Sequence, residues 1–245
     1  GDRDAWPRVT RLCGVSNGGM DRCEERTGRG GRGVVDKGGH GGLGREVEVK
    51  VLLRGHEAGS AAKKRFQREA RAAGTIGHPN IVQVFDLGTL QDGVTDIVME
   101  RLEGESLAGR LSIRGARDLT KSCHIVAQAL AGLGAVHESN ISHRDLKPDN
   151  IFLLDQRSTP DFVKVLDFGI SKFSETGALG GEKKLTATGM TMGTPHYMSP
   201  EQAQGFSNLD HRTDIYALGV ILFEMLTGDL PFDAETYPLL VVEIA

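Results

Sequence analysis

The first clear two-residue alternation of apolar and polar side chains comes at Glu46-Val47-Glu48-Val49-Lys50-Val51-Leu52, which predicts a strand with Val47, Val49 and Val51 on one face. Before it, residues 1–26 follow neither a two-residue nor a 3.6-residue period. They mix Arg, Asp, Gly and two Cys with few apolar positions and read as an irregular extension. Glycine stays dense through Gly44, and the lack of alternation around Lys37-Gly38-Gly39-His40-Gly41-Gly42 predicts only a weak, frayed strand pair. From about Ala61 to Ile76 the pattern turns helical, with Phe66, Ala70 and Ala73 recurring among charges. His78-Pro79-Asn80 ends that helix, and Ile81-Val82-Gln83-Val84-Phe85 reads as a strand. Asp92-Gly93 marks a hairpin leading to Ile97-Val98-Met99. Strands, one helix and strands again make a small antiparallel sheet with a helix packed on it.

After Gly104 the period lengthens. Val126, Leu130, Leu133 and His137 stand at i, i+4, i+7 and i+11, which predicts a long helix beginning near Thr120. Ile151 to Leu154 and Val163 to Leu166 are short runs with strand character, while Ser174 to Thr194 is rich in Gly and Thr and has no period. Ile215 to Leu226 is apolar enough to predict a helix buried on most sides, and Glu235 to Ala245 carries a shorter helical pattern.

At 245 residues and 39% apolar content, the chain can bury a sizeable core. Its net charge of −4 gives no basis for binding nucleic acid or a membrane surface. Cys13, Cys23 and Cys123 form neither a pairable framework nor a metal-ligand spacing, which suits reduced thiols. No apolar run approaches the roughly 20 residues that span a bilayer, and the N-terminus has no signal-peptide core. The expectation is a cytoplasmic protein without a membrane segment.

Candidate chemistry concentrates in His143-Arg144-Asp145-Leu146-Lys147-Pro148-Asp149-Asn150 and in Asp167-Phe168-Gly169. This set offers a carboxylate to accept a proton, Asn and Asp oxygens to ligate Mg²⁺, and a lysine to neutralise phosphate. A polar turn between strands would explain scattered Asp and Asn, but not this order of residue types. Gly28-Arg29-Gly30-Gly31-Arg32-Gly33-Val34-Val35 fits G-x-G-x-x-G-x-V, whose glycines let backbone N–H groups approach phosphate. A dinucleotide-binding fold would start a helix after the third glycine, where this chain has Val34-Val35 and more glycine.

Together these segments resemble the catalytic domain of bacterial Ser/Thr protein kinases of eukaryotic type, over roughly residues 27–245. The resemblance implies an α+β, bilobal protein kinase fold. Residues 1–26 would be an extension, 27–101 a small antiparallel-sheet N-lobe with one helix, and 102–245 a mainly helical, incomplete C-lobe. It implies ATP and Mg²⁺ as cofactors and protein Ser/Thr hydroxyls as acceptors. Gly28, Gly30, Gly33 and Val35 would cover the nucleotide. Lys50 would bind the α and β phosphates, held by Glu69, whose plainer role is an exposed helix carboxylate beside Arg65. Met99 would control access behind the adenine, or be simply core. Glu100 to Leu102 would present backbone N–H and C=O groups to the ring.

By the same resemblance, Asp145 would be the base, Lys147 would contact the γ-phosphate, and Asn150 and Asp167 would hold Mg²⁺. Phe168 would pack beneath the helix carrying Glu69. Arg144 would dock a phosphothreonine. Thr186, Thr188 and Thr191 are its candidate sources, modified in trans through transient self-association. Thr194, in Gly193-Thr194-Pro195-His196-Tyr197-Met198-Ser199-Pro200-Glu201-Gln202, would bond to Asp145 and Lys147. Asp214 would tie down the catalytic-loop backbone, act as a carboxylate favoured at a helix N-terminus, or both.

Some residues depart from the family pattern. Glu48 replaces a small apolar residue at the adenine, where an unpaired carboxylate would lose hydration worth several kcal/mol. Asp36 and Asp96 stand where aromatic residues are usual. The chain stops at Ala245, so Glu201 would be a buried carboxylate lacking an arginine partner, and a parent protein would continue into a linker or membrane anchor. These departures support a second reading, a kinase-fold nucleotide-binding or scaffold module with little or no turnover.

Overall fold

The computed structural model describes residues 20–30, 33–40, 45–52, 76–89, 95–116, 118–155, 159–168 and 195–245. The chain divides into two compact units, residues 1–59 with 83–102 and residues 60–82 with 103–245. Residues 61–75 of the helix predicted over 61–76, the hairpin at Asp92-Gly93, and Glu69, Thr186, Thr188, Thr191 and Thr194 lie outside the described residues.

In the first unit, five strands form one antiparallel sheet in the order β1-β2-β3-β5-β4. They are β1 (Met20–Gly30), β2 (Gly33–His40), β3 (Arg45–Leu52), β4 (Val84–Thr89) and β5 (Thr95–Glu100). The alternation read in β3 is real: Val47 and Val49 are buried, whereas Glu48 and Lys50 are half-buried on the opposite face. β5 lies inside the sheet between β3 and β4, and Ile97, Val98 and Met99 are buried in succession.

The irregular extension expected over residues 1–26 is corrected by β1, which begins at Met20. Its pairing with β2 breaks register between Met20 and Arg22, between Cys23 and Glu25, and between Arg26 and Gly28. Each break shifts the side-chain period, so an edge strand held by backbone hydrogen bonds shows no alternation in sequence.

The strand expected at Ile81 to Phe85 is also displaced. β4 starts at Val84, and Ile81 forms a single parallel bridge to Val165. Asn80 explains the difference. Its Nδ2 donates to Val163 O at 2.8 Å, its carbonyl accepts from Val165 N at 2.8 Å, and Val82 N donates to Val165 O at 3.0 Å. Residues 80–82 therefore belong with the second unit.

That unit contains a three-stranded antiparallel sheet of β6 (Gly104–Ser106), β7 (Ile151–Leu154) and β8 (Phe162–Val165). Gly104 sits at φ 149°, and a Cβ there would lie 2.1 Å from Leu153 O, so the β6–β7 pair requires glycine. Five helices follow among the described residues: α1 (Leu107–Arg114), α2 (Leu119–Glu138), α3 (Pro200–Ala203), α4 (Arg212–Thr227) and α5 (Tyr237–Ile244). Arg110 on α1 binds Glu105 of β6 and Asp161 beside β8. Gln128 on α2 accepts from Val163 N and donates to Asp161 O.

α2 starts where the pattern placed it, with Asp118 accepting from Lys121 N at 3.2 Å as N-cap. Its buried stripe is Ser122, Ile125, Ala129, Gly132, Leu133 and Val136, while Leu130 is 41% exposed. The helix is apolar on more than one face, so the period alone selected a stripe one residue away. α4 is likewise less enclosed than expected: Ala217, Leu218, Val220, Ile221 and Met225 are buried, whereas Ile215 and Phe223 are exposed. Among the described residues its packing partners, α2 and the turn Pro195–Tyr197, reach part of its circumference.

Gly132 lets α2 approach residues 80–81, since a Cβ there would meet Ile81 Cδ1 at 2.9 Å and Asn80 O at 3.1 Å. A Cβ at Gly134 would meet nothing within 4 Å. Gly134→Ala is therefore expected to stabilise the protein by roughly 0.5–1 kcal/mol through helix propensity. Gly132→Ala is expected to destabilise it by about 1 kcal/mol or more through overpacking. Urea denaturation of the two variants checks the opposite signs.

Candidate active site

Asp214 is fully buried in the first turn of α4 and gathers the segment before Asp145 around it. Its Oδ2 accepts from His143 N at 2.8 Å, and its Oδ1 accepts from Arg144 N at 2.7 Å. His137, near the end of α2, places Nε2 2.8 Å from Oδ2. Burial pushes this carboxyl up, but the hydrogen bonds from His137 and from the two backbone N–H groups outweigh it and hold the group below its ordinary value. Asp214 thus bonds two backbone N–H groups of the segment before Asp145 and also stands in the first turn of α4.

The anchored segment is strained. Arg144 has φ 63° and Asp167 has φ 62°, a region that costs an L-residue roughly 1–2 kcal/mol. Both are non-glycine residues within the candidate chemistry, and the surrounding hydrogen bonds hold them there. Fully buried His143 spans the two strained points. Its Nε2 lies 2.7 Å from Leu166 O, its Nδ1 accepts from Asp145 N at 3.3 Å, and its ring meets Phe168 edge-on at 4.9 Å. These partners fit the Nε2–H tautomer.

The 3-10 turn Pro148–Asn150 then brings the chemistry together. Asn150 Nδ2 donates to Asp145 O at 2.7 Å, and Lys147 Nζ lies 3.8 Å from Asp145 Oδ2. Leu166 N donates to Asn150 O at 2.9 Å, which ties the backbone before Asp167 to Asn150. Asp145, Lys147 and Asp167 are half-buried, so their charged ends retain access to solvent and to a reactant. With its Nδ2 committed to Asp145 O, the Asn150 amide has its Oδ1 for a cation. No group of three or more His, Cys, Asp or Glu side chains able to hold a metal occurs among the described residues. One amide oxygen and one carboxylate suit Mg²⁺, which commonly completes its shell with water and substrate phosphates.

The structure places Lys50 on β3 beside Val35 of β2 and Ile97 of β5. Gly30 and Gly33 pair at the tip of the β1–β2 hairpin, and Gly28 pairs with Val35. Met99 is buried opposite Glu48. Glu48 and Lys50 both make polar interactions, so the penalty expected of an isolated carboxylate at Glu48 does not apply in full. Glu100 N donates to Gln83 O at 2.9 Å and its Oε1 accepts from Gln83 N at 2.8 Å, while Leu102 follows β5 half-buried.

Glu201 is corrected from a buried carboxylate to an exposed one. It stands in the first turn of α3, where its own backbone N–H and the Ser199 hydroxyl lower its pKa. Arg144 Nη2 donates to Leu209 O at 3.0 Å, and its buried Nε has no hydrogen-bond partner among the described residues. Residue patterning missed His137, which looked like one more position on an apolar stripe. A histidine on the core face of a helix needs a buried polar partner, and that was the available signal. Tyr197 was missed too. Burial and the Glu224 carboxylate raise its pKa far above the ordinary value, so it stays a donor to Glu224 Oε2 at 2.7 Å.

A family model described as "Protein kinase domain" matches residues 22–241. The chain is 44% identical over 215 residues to the Serine/threonine-protein kinase pkn3 of Myxococcus xanthus, covering 88% of this chain and 39% of that protein. It is 39% identical over 194 residues to the Serine/threonine-protein kinase PrkC of Bacillus subtilis, covering 79% of this chain and 28% of that one. Among solved structures, the PknI kinase domain of Mycobacterium tuberculosis matches with a TM-score of 0.71 and 25% identity. The match covers 91% of this chain and 80% of that one.

Asp214→Asn is expected to lower stability by about 3 kcal/mol near neutral pH, because it places an amide among donors aimed at a buried carboxylate. It should also flatten the loss of stability in acid. A depressed carboxyl contributes fully above the unfolded value of about 3.9, and that contribution is lost as pH falls through the folded value. Urea denaturation at a series of acidic pH values checks both effects.

Proposed function

The chain belongs to the protein kinase family, and we propose that it transfers the γ-phosphoryl group of ATP to Ser/Thr hydroxyls of proteins. The observation that carries this reading is the Asp145 cluster, with Lys147 Nζ 3.8 Å from its carboxylate and Asn150 Nδ2 bonded to its carbonyl. Asp145 Oδ2 accepts and orients the substrate hydroxyl proton. Lys147, whose Nζ lies 3.8 Å from the Asp145 carboxylate, meets the charge of the transferring group. Asn150 Oδ1 and the Asp167 carboxylate would hold Mg²⁺, which when bound neutralises phosphate charge. Catalysis is then mainly positioning and electrostatics, which suits a loop whose strained backbone is fixed by buried hydrogen bonds.

On this reading Lys50 binds the α and β phosphates with Glu69 as its partner. Gly28, Gly30, Gly33 and Val35 cover the nucleotide, while Met99, Glu100 and Leu102 border the adenine. The unpartnered, buried Nε of Arg144 supports its role as a docking point for a phosphorylated Thr186, Thr188 or Thr191, formed by transient self-association. No helix among the described residues is long and apolar enough to cross a membrane.

Incubation with labelled ATP, Mg²⁺ and a Ser/Thr protein substrate tests the proposal. Wild-type protein should incorporate phosphate, chelation of Mg²⁺ should abolish incorporation, and Asp145→Asn should reduce it by roughly 10²-fold or more. Incorporation no higher than in the Asp145→Asn control overturns it. ATP-dependent thermal stabilisation without transfer would favour a nucleotide-binding module instead.

A further inference from the structure

Gln202 uses both ends of its side-chain amide. Its Oε1 accepts from Ser199 N at 3.1 Å, and its backbone N–H donates to Ser199 Oγ at 3.4 Å, closing a capping box on α3. Its Nε2 donates to the carbonyl of Arg144 at 2.9 Å. The capping box needs only the oxygen, and a glutamate would serve there equally well beside a helix N-terminus. The bond to Arg144 needs the nitrogen, because an ionised carboxylate has no proton to donate. The nitrogen end therefore does something that α3 does not require.

What it holds is the residue before the proposed base. The carbonyl of Arg144 and the N–H of Asp145 share one rigid peptide plane. One edge of that plane is fixed by Gln202 Nε2, and the other by the bond from Asp145 N to His143 Nδ1 at 3.3 Å. On its near side, Arg144 N is fixed by Asp214 Oδ1 at 2.7 Å. With φ at 63°, the residue would relax from this conformation if one tether were cut.

We propose that Gln202 is a positioning residue, which sets the Arg144–Asp145 peptide plane and through it the direction of the Asp145 carboxylate. It couples the start of α3, just after the turn Pro195–Tyr197, to the catalytic loop. The proposal rests on the phosphotransfer reading above.

Three variants of the full chain separate the two ends of the amide. Gln202→Glu keeps the cap acceptor and removes the donor, Gln202→Met removes both, and Ser199→Ala weakens the cap and leaves the bridge. Gln202→Glu is expected to melt within about 2 °C of wild type, with kcat for a Ser/Thr peptide on the order of tenfold lower and KM for ATP within about twofold. Gln202→Met should lose kcat similarly and also melt lower. Ser199→Ala should melt about 2–4 °C lower with kcat retained.

Wild-type turnover in Gln202→Glu overturns the proposal. So does wild-type turnover in Gln202→Met with a loss in Gln202→Glu, because the new carboxylate would then be the cause. If Gln202→Glu does not fold, equal turnover in Gln202→Met and Ser199→Ala overturns it. Amide exchange at Asp145 N–H, expected to be faster in Gln202→Glu and Gln202→Met than in wild type, is readable whether or not the chain transfers phosphate. A chain without transfer but with this exchange difference contradicts the phosphotransfer reading alone. Unchanged exchange contradicts the positioning role.

Discussion

A buried carboxylate with three donors orders the candidate site. Asp214 has no solvent exposure, and an uncompensated charge at that depth would cost several kcal/mol. His137 Nε2 and the N–H groups of His143 and Arg144 satisfy it at 2.7–2.8 Å. The dependence runs both ways. The carboxylate is tolerable because the loop lends it two amides, and the loop can hold Arg144 in a left-handed conformation because the carboxylate receives them. α4 places Asp214 and α2 places His137, so the ordering of the segment before Asp145 depends on the packing of these two helices.

From that anchor the geometry passes outward through the backbone. His143 links the anchored segment to Leu166, Asn150 links Asp145 to the backbone just before Asp167, and Gln202 closes the remaining side of Arg144. Asp145, Lys147 and Asp167 are thereby half-buried on a backbone held through the N–H groups of His143, Arg144 and Asp145 and the carbonyls of Arg144, Asp145 and Asn150. Such an arrangement suits a reaction whose transition state asks for charge placement more than for covalent chemistry.

Legibility in the sequence followed the range of the interaction. β3 was readable because one-sided burial writes a two-residue period, seen in Val47 and Val49 against Glu48 and Lys50. β1 was not, because three register breaks along an edge strand erase the period. The Asp145, Lys147, Asn150 and Asp167 set was legible because chemistry demands residue types at short spacing. Partners far apart in the chain leave no such trace: His137 and Asp214 are 77 positions apart, and Gln202 and Arg144 are 58 apart. Burial misled the reading twice, at Glu201, which is exposed at a helix start, and on α4, where Ile215 and Phe223 face outward.

Amide hydrogen exchange at His143 and Arg144 tests the central dependence most directly. If the Asp214 carboxylate holds this loop, both N–H groups exchange as slowly as amides in the cores of α2 and α4, and both lose protection together when Asp214 is replaced by asparagine. Exchange of both amides at the rate of an exposed loop in the wild-type protein would contradict the account.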